Sequence, residues 1–208
     1  VGLTTQSTGV YAFLEEMKAD SGPKADAVIA LAGNPNTGKS TVFNGLTGLN
    51  QHTGNWPGKT VVLAKGNYQH HSKEITLVDL PGTYSLLANS ADEQVARDFI
   101  CFGEPDATVV VADASCLERN LNLVLQVLEI TSRTVLCVNL IDEAGRKKIE
   151  IDISRLEGLL GIPVIPTAAH DKVGLNQLKD AIHQVAFGKN TSRRNSWSIM
   201  KASRRPLP

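Results

Sequence analysis

The chain is poor in several things that would name a function class. Aromatic residues make up 5 % of its 208 residues, too few for base-stacking platforms. Lys plus Arg and Asp plus Glu both number 21, so the net charge is zero. No overall positive field argues for nucleic acid or an anionic membrane, and no nucleic-acid partner is expected. The three cysteines, Cys101, Cys116 and Cys137, show neither CxxC nor Cys/His spacing. Lying in apolar helix or strand patterns, they are read as buried reduced thiols of a reducing compartment. No run approaches the ~18 apolar residues of a membrane span, and no charged-then-apolar leader opens the chain. The polypeptide as it stands is expected to be soluble.

What is present is concentrated in one stretch. Residues 33 to 41 read Gly-Asn-Pro-Asn-Thr-Gly-Lys-Ser-Thr and match G-x-x-x-x-G-K-[ST], directly after the apolar run Ala27–Ala32. A buried strand, a glycine-rich turn and a helix are the context in which backbone N–H groups form a concave phosphate site. The candidate nucleotide-binding residues here are Gly33, Asn34, Asn36, Thr37, Gly38, Lys39, Ser40 and Thr41. Gly33 and Gly38 allow close backbone approach, Lys39 reaches the β- and γ-phosphates, and Ser40 is a candidate Mg²⁺ ligand.

Around this loop, apolar strands alternate with helical stretches. Val61–Tyr68 and Glu74–Val78 resemble a hairpin around the polar turn 69–73. Strands are expected at 107–112, 134–138 and 162–165, and helices at 117–130, 153–160 and 175–185. This implies a mixed α/β fold: a mostly parallel six-stranded sheet with one antiparallel hairpin strand and helices on both faces. The chain divides into an N-terminal extension 1–26, in which Tyr11–Met17 suits a short amphipathic turn, a core domain 27–188, and a tail 189–208. The tail is basic, with no acidic residue after Asp180, and reads as a disordered end.

A phosphate loop alone leaves ATP and GTP open. Asp79-Leu80-Pro81-Gly82 follows a strand, so Asp79 emerges at a carboxyl end where it can hold a water on Mg²⁺, and the Gly82 N–H can sense a γ-phosphate. Asn139-Leu140-Ile141-Asp142 follows another strand. Its aspartate can accept from N1–H and the exocyclic amine of guanine, whereas adenine has no donor at N1. Thr167-Ala168-Ala169, after the last strand, is placed for backbone donors to the guanine O6.

With Gly33–Thr41, Phe43–Gly48, Gly54-Asn55-Trp56-Pro57-Gly58-Lys59-Thr60-Val61, Asp79–Leu86 and Asn139–Asp142 in hand, the chain resembles the G domain of FeoB, the bacterial ferrous iron transporter. The likeness runs from about Ala27 to Gly188. It implies a Ras-like P-loop GTPase fold and GTP turnover that regulates ferrous iron transport at the cytoplasmic face of the bacterial inner membrane. It also implies a membrane domain of the same transporter as partner, with G-domain self-association as a further expectation. Residues 50–60 would be switch I, about 80–93 switch II, and Thr60 the switch I ligand of Mg²⁺. The family's helical spacer and membrane domain have no match after residue 188, so the chain is expected to be a fragment that moves no iron by itself. Its rivals are a stand-alone GTPase of ribosome assembly or RNA modification, and a nucleotide sensor without turnover.

For hydrolysis, the expected machinery is Lys39, Asn36, Thr60, Gly82 and Thr83. No glutamine follows Gly82; Thr83 stands there, either aiming the water or stabilising the turn. No arginine lies in the switch loops. By the same resemblance, Asn36 with the carbonyls of Gly54 and Trp56 would hold K⁺ beside the phosphates. The expected cofactors are Mg²⁺ and K⁺, with GTP as substrate and GDP as product. Trp56 is read as shaping the switch loop although its type suits an exposed partner contact. His70 and His71 are read as decoration of a turn, since neighbours on a strand point to opposite faces.

Overall fold

A computed structural model describes residues 25–48, 51–56, 61–87 and 90–188. Thr60, the amphipathic turn expected at 11–17 and the basic tail lie outside the described residues. The elements in order are β1 (Ala27–Gly33), α1 (Lys39–Thr47), β2 (Gln51–Asn55), β3 (Val62–His70), β4 (Lys73–Asp79), α2 (Ala91–Phe102), β5 (Ala107–Asp113), α3 (Leu117–Ile130), β6 (Thr134–Asn139), α4 (Ile141–Arg146), α5 (Ile153–Leu160), β7 (Val164–Pro166) and α6 (Leu175–Phe187). Single 3₁₀ turns precede α3 and follow β7, at Ala114–Cys116 and Ala169–Asp171.

The strands form a single sheet in the order β2-β3-β4-β1-β5-β6-β7. β4, β1, β5, β6 and β7 pair in parallel, while β3 is antiparallel to both β2 and β4. The mixed α/β class and the single opposed strand are as expected from the sequence. The sheet carries seven strands rather than six. The extra one is β2, an edge strand formed by part of the segment read as switch I. Its residues Gln51, His52, Thr53, Gly54 and Asn55 are polar or glycine and give no alternating apolar signal. Backbone pairing with β3, from Gln51↔Gly66 to Asn55↔Val62, is what makes it a strand.

β1, β5 and β6 are buried almost throughout, which explains their near-continuous apolar sequence. Each face of the sheet has its own core. On one side Val42, Phe43 and Leu46 of α1 and Leu178 and Ile182 of α6 meet Ile29, Leu31, Leu77, Val109 and Cys137. On the other, Phe99 of α2 and Leu123, Val124 and Val127 of α3 meet Ala30, Val78, Val110 and Leu136. α2 begins with a side-chain cap: the Ser90 side chain accepts from the amide of Glu93, three positions on.

Two local readings change in the folded chain, and one alternative is excluded. Trp56 is not a surface aromatic: it is 3 % exposed and packs edge-on against Phe99, ring centroids 6.4 Å apart. Among the cysteines only Cys137 is buried; Cys101 is half-buried and Cys116 exposed at the mouth of α3. The hairpin turn is tighter than the polar run suggested, with His71 and Ser72 both left-handed (φ 48° and 61°) between His70 and Lys73. A two-residue turn with positive φ at both positions matches the twist of its strands.

The loop from β7 into α6 depends on Gly174. Its φ is 79°, and a Cβ there would lie 2.3 Å from the Pro166 carbonyl oxygen. Gly174→Ala therefore combines left-handed strain with a backbone overlap. The expected loss is about 2 kcal/mol or more of unfolding free energy, read from urea denaturation of both proteins.

Candidate nucleotide site

The sheet order puts the candidate residues on adjacent strand ends. β1 lies between β4 and β5, with Leu31 opposite Asp79 and Gly33 opposite Val111; Asp113 of β5 lies opposite Asn139 of β6. Asp79, Gly33 and Asn139 thus emerge along a single carboxyl edge. The helix after β1 packs on one face of the sheet and the helices after its neighbours β4 and β5 on the other, a change of side that opens a crevice in sheets of this kind.

The loop 34–38 joins β1 to α1. Asn36 takes a left-handed φ of 65° and is exposed, and Gly38 follows at 76°. No side chain caps α1, whose N-cap is Gly38 itself. The amide-rich start of this helix is therefore a fitting place for an anion. Both glycines of the loop motif are sterically required. A Cβ on Gly33 would sit 2.7 Å from the Val111 carbonyl oxygen, and one on Gly38 2.4 Å from Nδ2 of Asn139. Thr37 closes the loop by donating its hydroxyl to the Asn34 carbonyl at 2.9 Å. Both side-chain amide atoms of Asn34 are buried without a hydrogen-bond partner among the described residues. Such a group costs about 1–3 kcal/mol, which marks Asn34 as poised for a ligand or for switch residues.

Lys39 donates to the Asp79 carboxylate, and both side chains are largely buried. Burial pushes the Asp79 carboxyl above its ordinary range, and the Lys39 ammonium partly offsets this through charge and hydrogen bonding. Ser40 is exposed in the first turn of α1. A serine hydroxyl and a carboxylate are hard oxygen donors of the kind Mg²⁺ takes, so the residues present fit that ion.

The stretch after Asp79 is tied to the phosphate loop. The Leu80 amide donates to the Leu31 carbonyl at 2.9 Å, and the Thr83 amide to the Gly33 carbonyl at 3.1 Å. Gly82 lies against Pro35, whose atoms would be 3.5 Å from a Cβ at that position. Thr83 is 3 % exposed; its hydroxyl donates to the Ser85 carbonyl at 2.6 Å and accepts from the Ser85 amide at 3.2 Å. Of the two roles open to Thr83, the structure displays the turn-stabilising one.

Asn139, 1 % exposed, joins three segments. Its Nδ2 donates to the Thr37 carbonyl at 2.9 Å, while its Oδ1 accepts from the Thr167 hydroxyl and the Ala169 amide, both at 3.1 Å. The spacing N-x-x-D placed Asn139 near the nucleotide but carried no sign of this inward role. The three partners are two backbone groups and a hydroxyl far along the chain. Leu140 then turns left-handed (φ 61°, ψ 34°), and Asp142 follows in the first turn of α4, half-exposed and paired with Arg146 at 2.8 Å.

The amides expected to reach guanine O6 have partners within the protein. The amide of Thr167 donates to the Val138 carbonyl, that of Ala168 to Val173 and that of Ala169 to Asn139, so all three are engaged within the protein. These bonds hold the loop after β7 against β6. Of the candidate K⁺ ligands, Gly54 pairs with Leu63 inside β2, and Trp56 donates its amide to the Val61 carbonyl at 2.8 Å.

Asn139→Ala would strand the Thr37 carbonyl, the Thr167 hydroxyl and the Ala169 amide together. At about 1–3 kcal/mol per buried unpaired group, we expect a loss of roughly 3 kcal/mol or more in unfolding free energy. Nucleotide affinity should fall in parallel, both being measurable by thermal melts with and without GDP.

Residues 27–182 match the family model described as Ferrous iron transport protein B. The Fe(2+) transporter FeoB of Shigella flexneri is 45 % identical over 166 residues, a span covering 78 % of this chain and 22 % of that protein. The chain thus spans about a fifth of the length of the curated relatives it matches. Among solved structures, the G domain of the T. maritima FeoB iron transporter is 42 % identical with a TM-score of 0.73, covering 77 % of this chain and 98 % of that one. The cytosolic domain of the same transporter in a GDP form is 41 % identical with a TM-score of 0.78, covering 81 % of this chain and 66 % of that one. Loop sequence, strand-end geometry and these likenesses agree, and the chain belongs to the ferrous iron transport protein B family, whose GTPase-type G domain it carries.

Proposed function

We propose that residues 27–188 bind GTP with Mg²⁺ and hydrolyse it to GDP and phosphate. In this reading the domain regulates ferrous iron transport from the cytoplasmic face of the bacterial inner membrane, joined to a membrane domain of the same transporter. The observation that carries the reading is the Asn139 junction, because it brings the phosphate loop and the segment bearing Asp142 together around a buried amide. A nucleotide then spans from Lys39 and the loop amides to the Asp142 carboxylate.

Phosphoryl transfer asks a protein for positioning and charge neutralisation rather than covalent chemistry. Lys39 would give up its bond to Asp79 for the β- and γ-phosphate oxygens; Ser40 and Thr60 would hold Mg²⁺, with Asp79 supporting it through water, and the ion would supply further positive charge at the phosphates. Switch II follows, since the Gly82 amide and the Thr83–Gly33 bond lie beside the phosphate loop. With the Thr83 hydroxyl held in its turn, water is positioned by backbone groups of the switches.

K⁺ at Asn36 and the Gly54 and Trp56 carbonyls would supply the positive charge that an arginine finger brings elsewhere. Asn36 fits this role by position, being exposed and left-handed in the phosphate loop.

Guanine selection rests on Asp142. Its substitution, Asp142→Asn, should weaken GTP binding strongly and improve binding of xanthosine triphosphate, whose carbonyl matches the new donor. Competition between labelled nucleotides checks this, and equal binding of ATP and GTP by the unaltered protein would refute guanine selectivity.

Hydrolysis should rise when K⁺ replaces Na⁺ at constant ionic strength. Loss of a comparable electrostatic contact costs ~10²–10³ in rate. Asn36→Ala should flatten the response while leaving GDP binding nearly intact. Phosphate release in matched KCl and NaCl is the measurement, and equal rates in both salts would end the cation mechanism.

A further inference from the structure

The second concentration of chemistry in this molecule lies at the other end of β4. His70 ends β3, His71 opens the two-residue turn, and Asp180 projects from α6. Neighbouring residues in a regular strand point to opposite faces, which is why the sequence alone reads this pair as decoration. The left-handed φ of 48° at His71 breaks that alternation, and the two imidazoles lie 4.2 Å apart, centroid to centroid. Nε2 of His70 is 2.8 Å and Nε2 of His71 is 3.1 Å from the same oxygen, Oδ1 of Asp180. His183 stands one helical turn beyond Asp180, its ring 5.1 Å from that of His71 and 6.1 Å from that of His70. Residues three apart share a helix face, so Asp180 and His183 address the hairpin together.

From this convergence of hairpin and helix we propose that His70, His71 and Asp180, with His183 as a fourth group, form a binding site for a divalent first-row transition-metal ion. Bound tetrahedrally at ~2.0–2.2 Å, such an ion separates its ligand atoms by roughly 3.3 Å. The three ligand atoms already lie within 4.8 Å of one another, and two of the separations are 2.8 and 3.1 Å. Small rotations of side chains at the surface close the set. Two imidazoles with one carboxylate suit Zn²⁺, Fe²⁺, Co²⁺ or Ni²⁺, whereas Mg²⁺ and Ca²⁺ favour oxygen donors throughout.

In the ion-free state each Nε2 carries the proton it donates to Asp180. The ion takes the place of those protons, which move to Nδ1 on a neutral ring or leave to water from a charged one. The His70 and His71 hydrogen bonds hold the Asp180 carboxyl below its ordinary range. Desolvation, and then the charges of His71 and His70, hold His183 below its ordinary value. Lys73, the adjacent cation, bonds Asp26 at 2.8 Å and lies over the Phe187 ring, so it leaves the Asp180 carboxylate to the imidazoles.

A bound ion would clip the β3–β4 hairpin to α6. β4 is seven residues long and ends at Asp79, so the clip and the nucleotide site occupy opposite edges of the sheet. The site asks nothing of the phosphate loop, and its test is independent of nucleotide turnover.

The test is titration of the whole chain with Co²⁺, followed by visible absorption, and with Zn²⁺ and anaerobic Fe²⁺, followed by calorimetry, all in excess Mg²⁺. We expect saturable one-to-one binding of each ion, with Zn²⁺ tighter than Fe²⁺. His71→Ala and Asp180→Asn should each weaken binding by more than the ~10–100-fold that loss of a supporting outer partner costs. GDP binding by the same variants verifies that they remain folded. Binding that is unchanged in both variants, or no saturable binding by the unaltered chain, overturns the proposal.

Discussion

The buried side chain of Asn139 is the interaction on which the nucleotide site depends. Three loops from three strand ends must hold fixed positions relative to one another before phosphate and base can be read together. Each loop alone has backbone freedom, and none is part of the sheet ladder. One planar amide with a donor and an acceptor end ties the phosphate loop to the loop after β7, from a residue that itself ends β6. Because the amide is shielded from water, leaving any of its partners unpaired is costly, and the arrangement is correspondingly rigid. Gly38 belongs to the same constraint: the space its missing side chain leaves is where the Asn139 amide passes.

Around this junction the segments read as switches in the proposed function are held by backbone bonds and one ion pair. The Thr83–Gly33 and Leu80–Leu31 hydrogen bonds extend β1 toward switch II by backbone pairing alone. Lys39 and Asp79 neutralise one another in a largely buried setting, and in the proposed function each has a second partner in the phosphates or Mg²⁺. The edge strand β2, of polar residues and glycine, leads into Trp56, which packs on Phe99. A rigid centre with exchangeable contacts at its rim is the physical form a nucleotide-dependent switch takes.

The hairpin tip shows the opposite relation between local sequence and site. Nothing in His70-His71 by itself distinguishes a solvated turn from a ligand pair. The twist of two antiparallel strands imposes a left-handed turn, the turn aligns both rings, and packing of α6 on the same face of the sheet delivers Asp180 and His183. More than a hundred residues separate the two halves of the cluster in the chain.

The phosphate loop, the two aspartate motifs and the strand–helix alternation were legible in the sequence because each rests on local chemistry. Glycines at set spacing, a carboxylate just after an apolar run, and apolar periodicity carry their meaning within a few residues. The single opposed strand was legible for the same reason, from a polar turn between two apolar stretches. The tertiary structure alone decided the seventh strand, since β2 exists through pairing with β3 and not through any propensity of Gln51–Asn55. It also buried Trp56, engaged the amides of Thr167, Ala168 and Ala169 within the protein, turned the Thr83 hydroxyl to its own loop, and made Asn139 a junction rather than a surface ligand. Each of these depends on which distant group meets a side chain or amide. Hydrogen bonds and burial are satisfied in space, and a sequence motif records only one of the two partners.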